Sequence, residues 1–447
     1  MNDTKTSDNL SSLQKEELDR GDHSSSTIIE DDVEKYVTDM SVEEPPNGGL
    51  AAWLVVFGGF CGMVAIYGVN YTWGVFLNYY NENVFPGQMN QLSWIGSICV
   101  ALFFIIGPIN EWVTCKLGYT KMLAIGTIMC PLGLMLASIS HEIWHLYLTQ
   151  GVMFGIGASF IFFPCMAAPQ QWFTTRRGLA VGYCMCGSGI GGLIVSNIVQ
   201  AAIDHLDYRL AFRIAVFVCF GFCVIAMLLG KLPKAAKMEQ ESFSELFQKQ
   251  KKLVKNVQFQ IMLLIGTITC FGYLTPAFYL ASYAESIGLD PWIGTNLGAI
   301  MSAVNAVAML STGWLSDRTG RINGLFVCTF LSGIFTLAIW TTAKTSAAIW
   351  VYVVLYGYFG GGYLTLNGAS LPEVAGYDNI TAANGLLYFT STFGYMFGTP
   401  ITSAIISTGE NGYVYAAVYC GILMSVGGLL CWMLRVTRSG WRPLIKA

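Results

Sequence analysis

The residues with the clearest chemical pattern form a short polar stretch between two long apolar segments, Gly313-Trp314-Leu315-Ser316-Asp317-Arg318-Thr319-Gly320-Arg321. The carboxylate of Asp317 can accept hydrogen bonds from the positive amino-terminal end of a neighbouring helix. Arg318 and Arg321 can bind carboxylate or carbonyl oxygens. Because such contacts can form in one conformation and break in another, the stretch predicts a latch between moving parts of the molecule.

A second polar stretch, from Gln170 to Gly178, carries Arg176 and Arg177 and precedes a glycine-rich apolar run. Interior glycines weaken a helix in water, but in lipid they let two helices approach closely. We therefore predict a cytosolic loop, belonging to the same latch, that leads into a tightly packed membrane helix. Three of the glycines recur at a constant offset later in the chain, where Gly178, Gly187 and Gly191 correspond to Gly385, Gly394 and Gly398.

The composition places both stretches in a membrane protein. Hydrophobic residues make up 54% of the 447 residues and charged residues 11%, whereas an average soluble protein has about 25% charged residues. The mean hydropathy is +0.53. Apolar segments long enough to cross a bilayer as helices recur from Leu50 onward. The predicted spans 1 to 12 are 51–80, 91–113, 121–140, 143–168, 178–203, 210–230, 257–284, 292–315, 323–343, 347–371, 381–407 and 413–435.

The distribution of charge predicts how these spans are oriented. Lys and Arg concentrate in the connections on one side and in the carboxyl-terminal tail, whereas Arg209, Arg213 and Lys344 lie on the other side. By the positive-inside rule, both ends of the chain are predicted to be cytosolic. The expected organisation is a disordered tail (1–49), a six-helix bundle (50–230), a cytosolic linker (231–256), a second six-helix bundle (257–436) and a short cytosolic tail (437–447).

The linker contains a candidate helix of its own. Ser242-Phe243-Ser244-Glu245 has the form of a capping box. Apolar residues follow at helical spacing, and lysines lie on the other face: Leu246, Phe247 and Leu253 against Lys249, Lys251 and Lys252. The pattern predicts an amphipathic helix lying on the anionic inner leaflet, with a calmodulin-type target as the alternative.

These motifs resemble those of the major facilitator superfamily. The stretch from Gly313 to Arg321 has the form of its Gly-x-x-x-Asp-Arg-x-Gly-Arg signature and lies, as in that family, between spans 8 and 9. A reduced copy follows span 2, where Glu111, Cys115, Lys116 and Gly118 stand at the signature positions. The resemblance implies two six-helix bundles that rock against each other, a mechanism called alternating access.

At a finer level the chain resembles the monocarboxylate porter family, particularly its fungal branch. The resemblance rests on Pro46–Trp53 before span 1, on Gly107-Pro108-Ile109 in span 2 and on Gln171–Gly192 around span 5. Asn47 departs from the acidic residue that is usual in the first of these motifs. The resemblance implies secondary transport of small organic acids or other metabolites.

Other positions depart from the proton-coupled lactate carriers of that family. Tyr71 stands where those carriers have a membrane lysine, and Asn305 and Met309 stand where they have an Asp and an Arg. The predicted spans hold no Asp, Glu, Lys, Arg or His near mid-membrane, where ionisable residues are costly and usually functional. We therefore expect neither a proton relay nor a fixed cation for a carboxylate.

The midplane instead offers phenols and amides. The superfamily resemblance implies that spans 1, 4, 7 and 10 line a central cavity. The candidate substrate-binding residues are Tyr67, Asn70, Tyr71, Tyr273, Asn305, Tyr358, Tyr363 and Asn367, and span 11 adds Asn384 and Tyr388 at a similar depth. Aromatic walls with a few polar groups favour a planar or neutral metabolite. The alternatives are hydrogen bonds between helices for the asparagines, and packing or a place in the interfacial belt for the tyrosines.

Prolines within three spans predict bends, since a proline cannot donate the backbone hydrogen bond of a helix. They are Pro164, Pro276 and Pro400. Pro276 lies close to Gly272 and is the best candidate for a gating bend, with a static kink as the alternative.

Together these features predict a carrier that moves a small organic solute, monocarboxylate-type or aromatic and neutral, across a lipid bilayer. The plasma membrane is the expected location, with the vacuole or another endomembrane as alternatives. No catalytic residue, metal site or cofactor is expected, because no His, Cys or carboxylate cluster lies in the spans. We expect a monomeric or loosely associated chain that does not bind nucleic acid. The competing function is a non-transporting membrane sensor built on a carrier fold.

Overall fold

The computed structural model describes residues 48–86, 88–205, 208–231, 243–376, 379–409 and 411–439, and all regular structure in these ranges is helical. Most of the predicted amino-terminal tail, part of the linker including Ser242, and most of the carboxyl-terminal tail lie outside the described residues. The predictions made for those segments are therefore not addressed by the structure.

The first six membrane helices follow one another with short connections. They are α1 (Leu50–Tyr71, continued by Trp73–Tyr79), α2 (Met89–Ile105 and Gly107–Leu117), α3 (Tyr119–Ser138), α4 (Ile143–Trp172), α5 (Arg177–His205) and α6 (Tyr208–Leu229). The linker helix, Phe243–Val254, comes next. The second six are α7 (Val257–Ser286), α8 (Pro291–Thr319), α9 (Arg321–Thr342), α10 (Ser346–Ala375), α11 (Ile380–Ile406) and α12 (Gly412–Ser439).

These helices lie at the positions of the predicted spans. Among the described residues, ten are long and apolar enough to cross a membrane, and α2 is an eleventh if its two parts, bent by 41°, form one span. The remaining helix, α11, is 27 residues long and contains no charged residue. The predicted all-helical membrane architecture is confirmed.

Helix α5 packs closely on α1 because its glycines remove the side chains that would separate them. A Cβ atom on Gly191 would lie 2.6 Å from the carbonyl oxygen of Val64, and one on Gly187 would collide with the carbonyl oxygen of Phe60. The two backbones are therefore in direct contact, which is the packing that small residues allow between membrane helices.

Two further pairs of helices join the first six helices to the second six. In the α5–α8 seam, a Cβ on Gly178 would lie 2.5 Å from the carbonyl oxygen of Gly313, and one on Gly189 would lie 2.7 Å from that of Ser302. In the α2–α11 seam, the ring of Phe104 stacks on that of Tyr388 at 5.3 Å. The halves thus meet along both seams.

The end of the bundle that carries Thr174, Asp317 and Glu373 is named the latch end, because the connections α4–α5, α8–α9 and α10–α11 meet there. Toward the opposite end the surfaces that face each other in the α5–α8 seam become exposed. On α5 the seam face continues at helical spacing to Asn197, which is exposed, and on α8 it continues to Gly298, which is also exposed. No atom lies within 4 Å of a Cβ placed on Gly298. The α5–α8 seam is therefore closed at the latch end, and its facing residues are exposed toward the opposite end.

Helix α7 is broken at Leu274, just before Pro276. The proline cannot bond the carbonyl oxygen of Gly272, which instead accepts a hydrogen bond from the Cys420 thiol on α12 at 3.2 Å. The carbonyl oxygen of Tyr273 accepts one from the Tyr356 hydroxyl on α10 at 2.8 Å. Two neighbouring helices therefore hold the predicted bend in place.

Candidate functional site

The carboxylate of Asp317 binds the amino-terminal end of α5. Its Oδ1 accepts a hydrogen bond from the backbone N–H of Gly178 at 2.9 Å, and its Oδ2 accepts one from that of Leu179, also at 2.9 Å. The first N–H groups of a helix have no partner within the helix and carry its positive end. A carboxylate that accepts from two of them is strongly held, and it joins the second half of the molecule to the first.

Arg321 extends this contact to two other connections. Its Nη2 lies 2.9 Å from Oδ1 of Asp317, and its Nη1 lies 3.4 Å from Oε1 of Glu373 on α10. Nη2 also donates to the carbonyl oxygen of Thr174 in the α4–α5 connection at 3.4 Å. The backbone of Gly320 has φ 97°, a conformation that glycine adopts without strain, and this turn brings Asp317 and Arg321 side by side. These side chains and the Gly178–Gly313 contact are called the latch.

The other three arginines predicted for the latch are not part of this contact. Arg177 is buried and donates through Nε to the carbonyl oxygen of Gln170 at 2.9 Å and to that of Phe173, so it caps the carboxyl-terminal end of α4. Arg318 lies over the ring of Trp314, 3.9 Å from its centroid. Arg176 is exposed. Of these three residues, Arg177 alone is buried at the α4–α5 connection.

Farther from the latch end, aromatic rings from both halves meet in what we call the central aromatic cluster. Its members are Tyr67, Tyr71, Phe103, Phe104, Phe162 and Phe163 from the first half and Tyr273, Tyr363, Tyr388 and Tyr395 from the second half. The ring of Phe162 meets that of Tyr388 edge-on at 4.8 Å. The phenols of Tyr273 and Tyr388 also lie near that of Tyr67. The cluster spans the boundary between the halves.

Asn305 brings an amide to the edge of this cluster. Its side chain is adjacent to the phenol of Tyr273 on α7. Its Oδ1 is buried against Gly361 of α10, where a Cβ atom would collide with it, and has no hydrogen-bond partner among the described residues. A buried acceptor without a partner is unfavourable unless a ligand or water supplies a donor. Asn305 therefore carries, beside a ring, an acceptor to which the described residues offer no donor.

The remaining predicted binding residues lie at the edges of the cluster or in separate contacts. Asn70 donates to the thiol sulfur of Cys99 at 3.9 Å, between α1 and α2. Tyr358 accepts from Ser311 at 3.1 Å, between α8 and α10. Tyr363 is fully buried, and its hydroxyl donates to the carbonyl oxygen of Gly266 at 3.4 Å. The structure thus places Tyr67, Tyr71, Tyr273 and Asn305 together and directs Asn70 and Tyr358 elsewhere.

Asn367 lies on α10, at the side of the cluster that faces the latch end. It is buried, and its Oδ1 has no partner among the described residues. The next residue, Gly368, lies against the methyl group of Met166 on α4 and the hydroxyl of Tyr388. Helices α4 and α10 therefore touch between the cluster and the latch end, which closes the cluster on that side.

Sequence reasoning named Tyr388 at the depth of the site but did not single out Phe104 and Tyr395, with which it joins the halves. Phe104 stacks on both Tyr388 and Tyr395, with centroid distances of 5.3 and 5.6 Å. A signal was present, since Phe104 lies one helical turn before Gly107 and Tyr388 one turn after Gly385, and these glycines are in contact. An aromatic residue one turn from a glycine on the same helix face could have singled out Phe104, though not its contact with Tyr388.

A bundle of membrane helices in two halves, joined at one end and with aromatic rings meeting at the boundary between the halves, is the architecture of a transmembrane transporter. The sequence pattern of the Major Facilitator Superfamily matches residues 55–356 and, in a second match, residues 294–446. The chain therefore belongs to the major facilitator superfamily, a family of membrane transporters.

Relatives of similar length support this assignment. MFS transporter asaE of Aspergillus flavus is 29% identical over 406 residues, which cover 90% of this chain and 91% of that protein. MFS-type transporter pynF of Aspergillus niger is 30% identical over 389 residues, with coverage of 85% and 87%. Fujikurins efflux protein of Gibberella fujikuroi is 29% identical over 410 residues, with coverage of 90% and 86%.

Solved structures share the fold at low sequence identity. The transporter FucP in the outward conformation gives a TM-score of 0.65 at 15% identity and is covered over 99% of its length, with 86% of this chain. The human organic anion transporter MFSD10 gives a TM-score of 0.67 at 11% identity and is covered over 100%, with 87% of this chain.

Proposed function

We propose that this protein moves a small, uncharged organic metabolite with a planar or aromatic part across its membrane by alternating access. The observation that carries the proposal is the central aromatic cluster, which lies between the halves and offers ring faces, phenol hydroxyls and the Asn305 amide. Ring faces bind planar molecules through stacked or edge-on contacts, and a few polar groups fix their orientation.

The absence of a fixed charge argues against a carboxylate cargo. A carboxylate in a low-dielectric site needs a cation or several donors to offset its lost hydration. In the described spans, Asp, Glu, Lys, Arg and His residues lie toward the helix ends, and no member of the cluster is one of them. If the resemblance to monocarboxylate porters reflects kinship, the substitutions at Tyr71, Asn305 and Met309 would have changed the cargo of this chain.

The latch supports a rocking mechanism. Asp317 and Arg321 hold α5, α8 and the α4–α5 connection together, whereas the α5–α8 seam is exposed at its opposite end. The excess of Lys and Arg in the connections at the latch end predicts that this end is cytosolic, so the described conformation would face outward.

Export across the plasma membrane is the direction and location we propose. The name of one relative, the Fujikurins efflux protein, describes export of an organic metabolite. An exporter would load its cargo when the latch is open and release it in the latched conformation described here. Because the cluster is aromatic, a cargo with a planar ring system would be favoured over a compact aliphatic one.

The test is transport by the purified full-length protein in proteoliposomes, screened with paired solutes that differ only in charge or in planarity. We expect counterflow of planar neutral metabolites and little of the matching carboxylates. Preferred transport of the carboxylates would contradict the proposed cargo class. Binding without flux of any solute would instead favour the sensor, because a carrier must exchange its ligand across the bilayer.

We also predict that accumulation of the transported solute does not follow an imposed proton gradient. Coupling requires a group that gains and loses a proton along the cargo path, and the cluster holds none that titrates between about pH 5 and pH 8. The measurement is the steady-state solute ratio with and without a pH difference across the vesicle membrane. An increase of that ratio in proportion to the proton gradient would show that a relay exists.

A further inference from the structure

One face of the linker helix, Phe243–Val254, packs against the rest of the protein. Leu246, Gln250 and Leu253 lie on that face at helical spacing, and all three are buried. The Nε2 of Gln250, a residue with 8% of its surface exposed, donates a hydrogen bond to the carbonyl oxygen of Pro108 at 2.7 Å. A buried amide that meets a backbone carbonyl fixes both the position and the rotation of the helix.

This buried face bridges the two halves of the molecule. The linker helix touches α2, which belongs to the first half, and α11, which belongs to the second half. The Pro108 carbonyl lies beside Gly107, the residue at which α2 meets Gly385 of α11. The linker helix is therefore a strap across the α2–α11 seam, on the same side of the central aromatic cluster as the latch.

The exposed face of the linker helix carries an apolar stripe that continues into the bilayer-facing surface. Phe247 is 61% exposed, and Val254, two helical turns later, shares its side of the helix. Val257, the first residue of α7, is 63% exposed, and Leu264 on the same face of α7 is also exposed. Because α7 crosses the membrane, its exposed apolar face meets lipid, and the Phe247–Val254 stripe ends three residues before that face begins at Val257.

Three lysines adjoin this stripe. Lys251 and Lys252 lie on the exposed side of the linker helix, and Lys255 follows it directly; all three are exposed. A helix with an apolar stripe at the edge of the bilayer and cations beside it fits an anionic lipid surface, since the rings and alkyl groups enter the acyl boundary and the ammonium groups meet phosphates.

We infer that the linker helix binds anionic phospholipid headgroups through Lys251, Lys252 and Lys255, with Phe247 and Val254 in the acyl boundary, and that this binding holds the strap across α2 and α11. Anionic lipid thereby stabilises the conformation that is closed at the latch end. The partner is the lipid surface itself, and the effect does not depend on which solute is carried.

The test compares the full-length protein in nanodiscs of phosphatidylcholine with the same protein in nanodiscs that also contain phosphatidylglycerol. The readout is hydrogen–deuterium exchange of the amides in 243–254 and 107–117. Attraction to an anionic surface contributes about fivefold in binding per lysine, so we expect exchange to slow at least about tenfold when phosphatidylglycerol is present.

Two variants sharpen the comparison. The triple change Lys251→Gln, Lys252→Gln and Lys255→Gln should remove the lipid dependence, whereas the matched change of the same lysines to Arg should keep it. Equal exchange of the unmodified protein in the two lipids would overturn the inference without recourse to any variant. Protection of the same amides by inorganic phosphate alone would also overturn it, because a soluble ion cannot engage the apolar stripe.

Discussion

The α5–α8 seam and the α2–α11 seam both join the two halves. Each pairs the fifth helix of one half with the second helix of the other, but different side chains hold them. In the α5–α8 seam the backbones meet at Gly178 and Gly313, and Asp317 adds charged hydrogen bonds at the latch end. In the α2–α11 seam the backbones meet at Gly107 and Gly385, with aromatic stacking next to that contact. One seam is closed by hydrogen bonds between charged side chains and backbone groups, and the other by rings and the linker helix.

The connections next to these seams show where the difference arises. Lys116 lies 4.3 Å from the ring centroid of Trp112, as Arg318 lies 3.9 Å from that of Trp314. Gly118 has φ 79° and Gly320 has φ 97°, so both turns share one backbone conformation. The repeat has thus kept the turn and the cation over a ring.

What the first connection lacks is the charged pair. Cys115 stands where the second connection has Asp317, and Tyr119 stands where it has Arg321. A thiol cannot replace a carboxylate as acceptor for two helix N–H groups. The hydroxyl of Tyr119 instead accepts a hydrogen bond from Gln171 at 3.3 Å, within the first half. One of two related seams can therefore lack the hydrogen bonds of a charged side chain when other packing closes the same end.

The largest effect that follows from this comparison is expected for Asp317→Asn. The amide loses the negative charge that holds Gly178, Leu179 and Arg321, which weakens the latched conformation by about 3 kcal/mol, or roughly 150-fold in the equilibrium between conformations. We expect transport to fall below detection while the protein still folds and reaches its membrane. Uptake assays and surface labelling measure the two outcomes.

The control for that variant is Glu285→Gln, which removes an exposed carboxylate at the other end of the bundle. It should transport at the wild-type rate. Normal transport by Asp317→Asn would show that the carboxylate is not required for the latch, and misfolding of that variant would show a role in stability instead.

A smaller effect is expected for Gly182→Val in the α5–α8 seam. A Cβ atom there would collide with the carbonyl oxygen of Met309, and overpacking of this kind costs about 1–3 kcal/mol. The variant should melt several degrees lower and transport about tenfold more slowly. The matched change is Gly221→Val on α6, where no atom lies within 4 Å of a Cβ position. Equal melting temperatures for the two variants would show that Gly182 is not needed for the close approach of α5 to α8.

The smallest effect concerns the aromatic seam. Tyr388→Ala removes the contacts of that ring with Phe104 and Phe162, each worth about 0.5–1.5 kcal/mol. We expect the apparent affinity for the solute to fall about fivefold, whereas Tyr388→Phe, which keeps the ring, should behave as wild type. The affinity is measured from the solute dependence of counterflow. A loss of similar size in both variants would assign the effect to the hydroxyl rather than to stacking.

The membrane helices could be predicted from the sequence because their length and apolar composition are local properties. The break in α7 could also be predicted, since Pro276 removes a backbone hydrogen-bond donor wherever the helix lies. That Asp317 could bind a helix amino terminus followed from its chemistry. Which helix it binds depends on packing between residues far apart in the chain, and the geometry of Gly178 and Leu179 supplies that answer.

The candidate binding site was less accessible to sequence reasoning. Tyr67 and Asn70 are neighbours on α1, yet one enters the central aromatic cluster and the other turns to Cys99 on α2. In a helix that is apolar on all sides, the sequence carries no amphipathic stripe to fix its rotation. The contact of Phe104 with Tyr388 likewise depends on how two halves meet, which no local spacing encodes.

The break in α7 constrains how the protein can change shape. The carbonyl groups of Gly272 and Tyr273 are tethered by Cys420 on α12 and Tyr356 on α10. Straightening α7 would break both contacts and leave the Gly272 oxygen without a donor, because Pro276 has no N–H to offer it, so the outer part of α7 is coupled mechanically to α10 and α12. We expect the three helices to move together as one rigid group. The two hydrogen bonds would make the group rigid, and the proline would set only the angle of the bend.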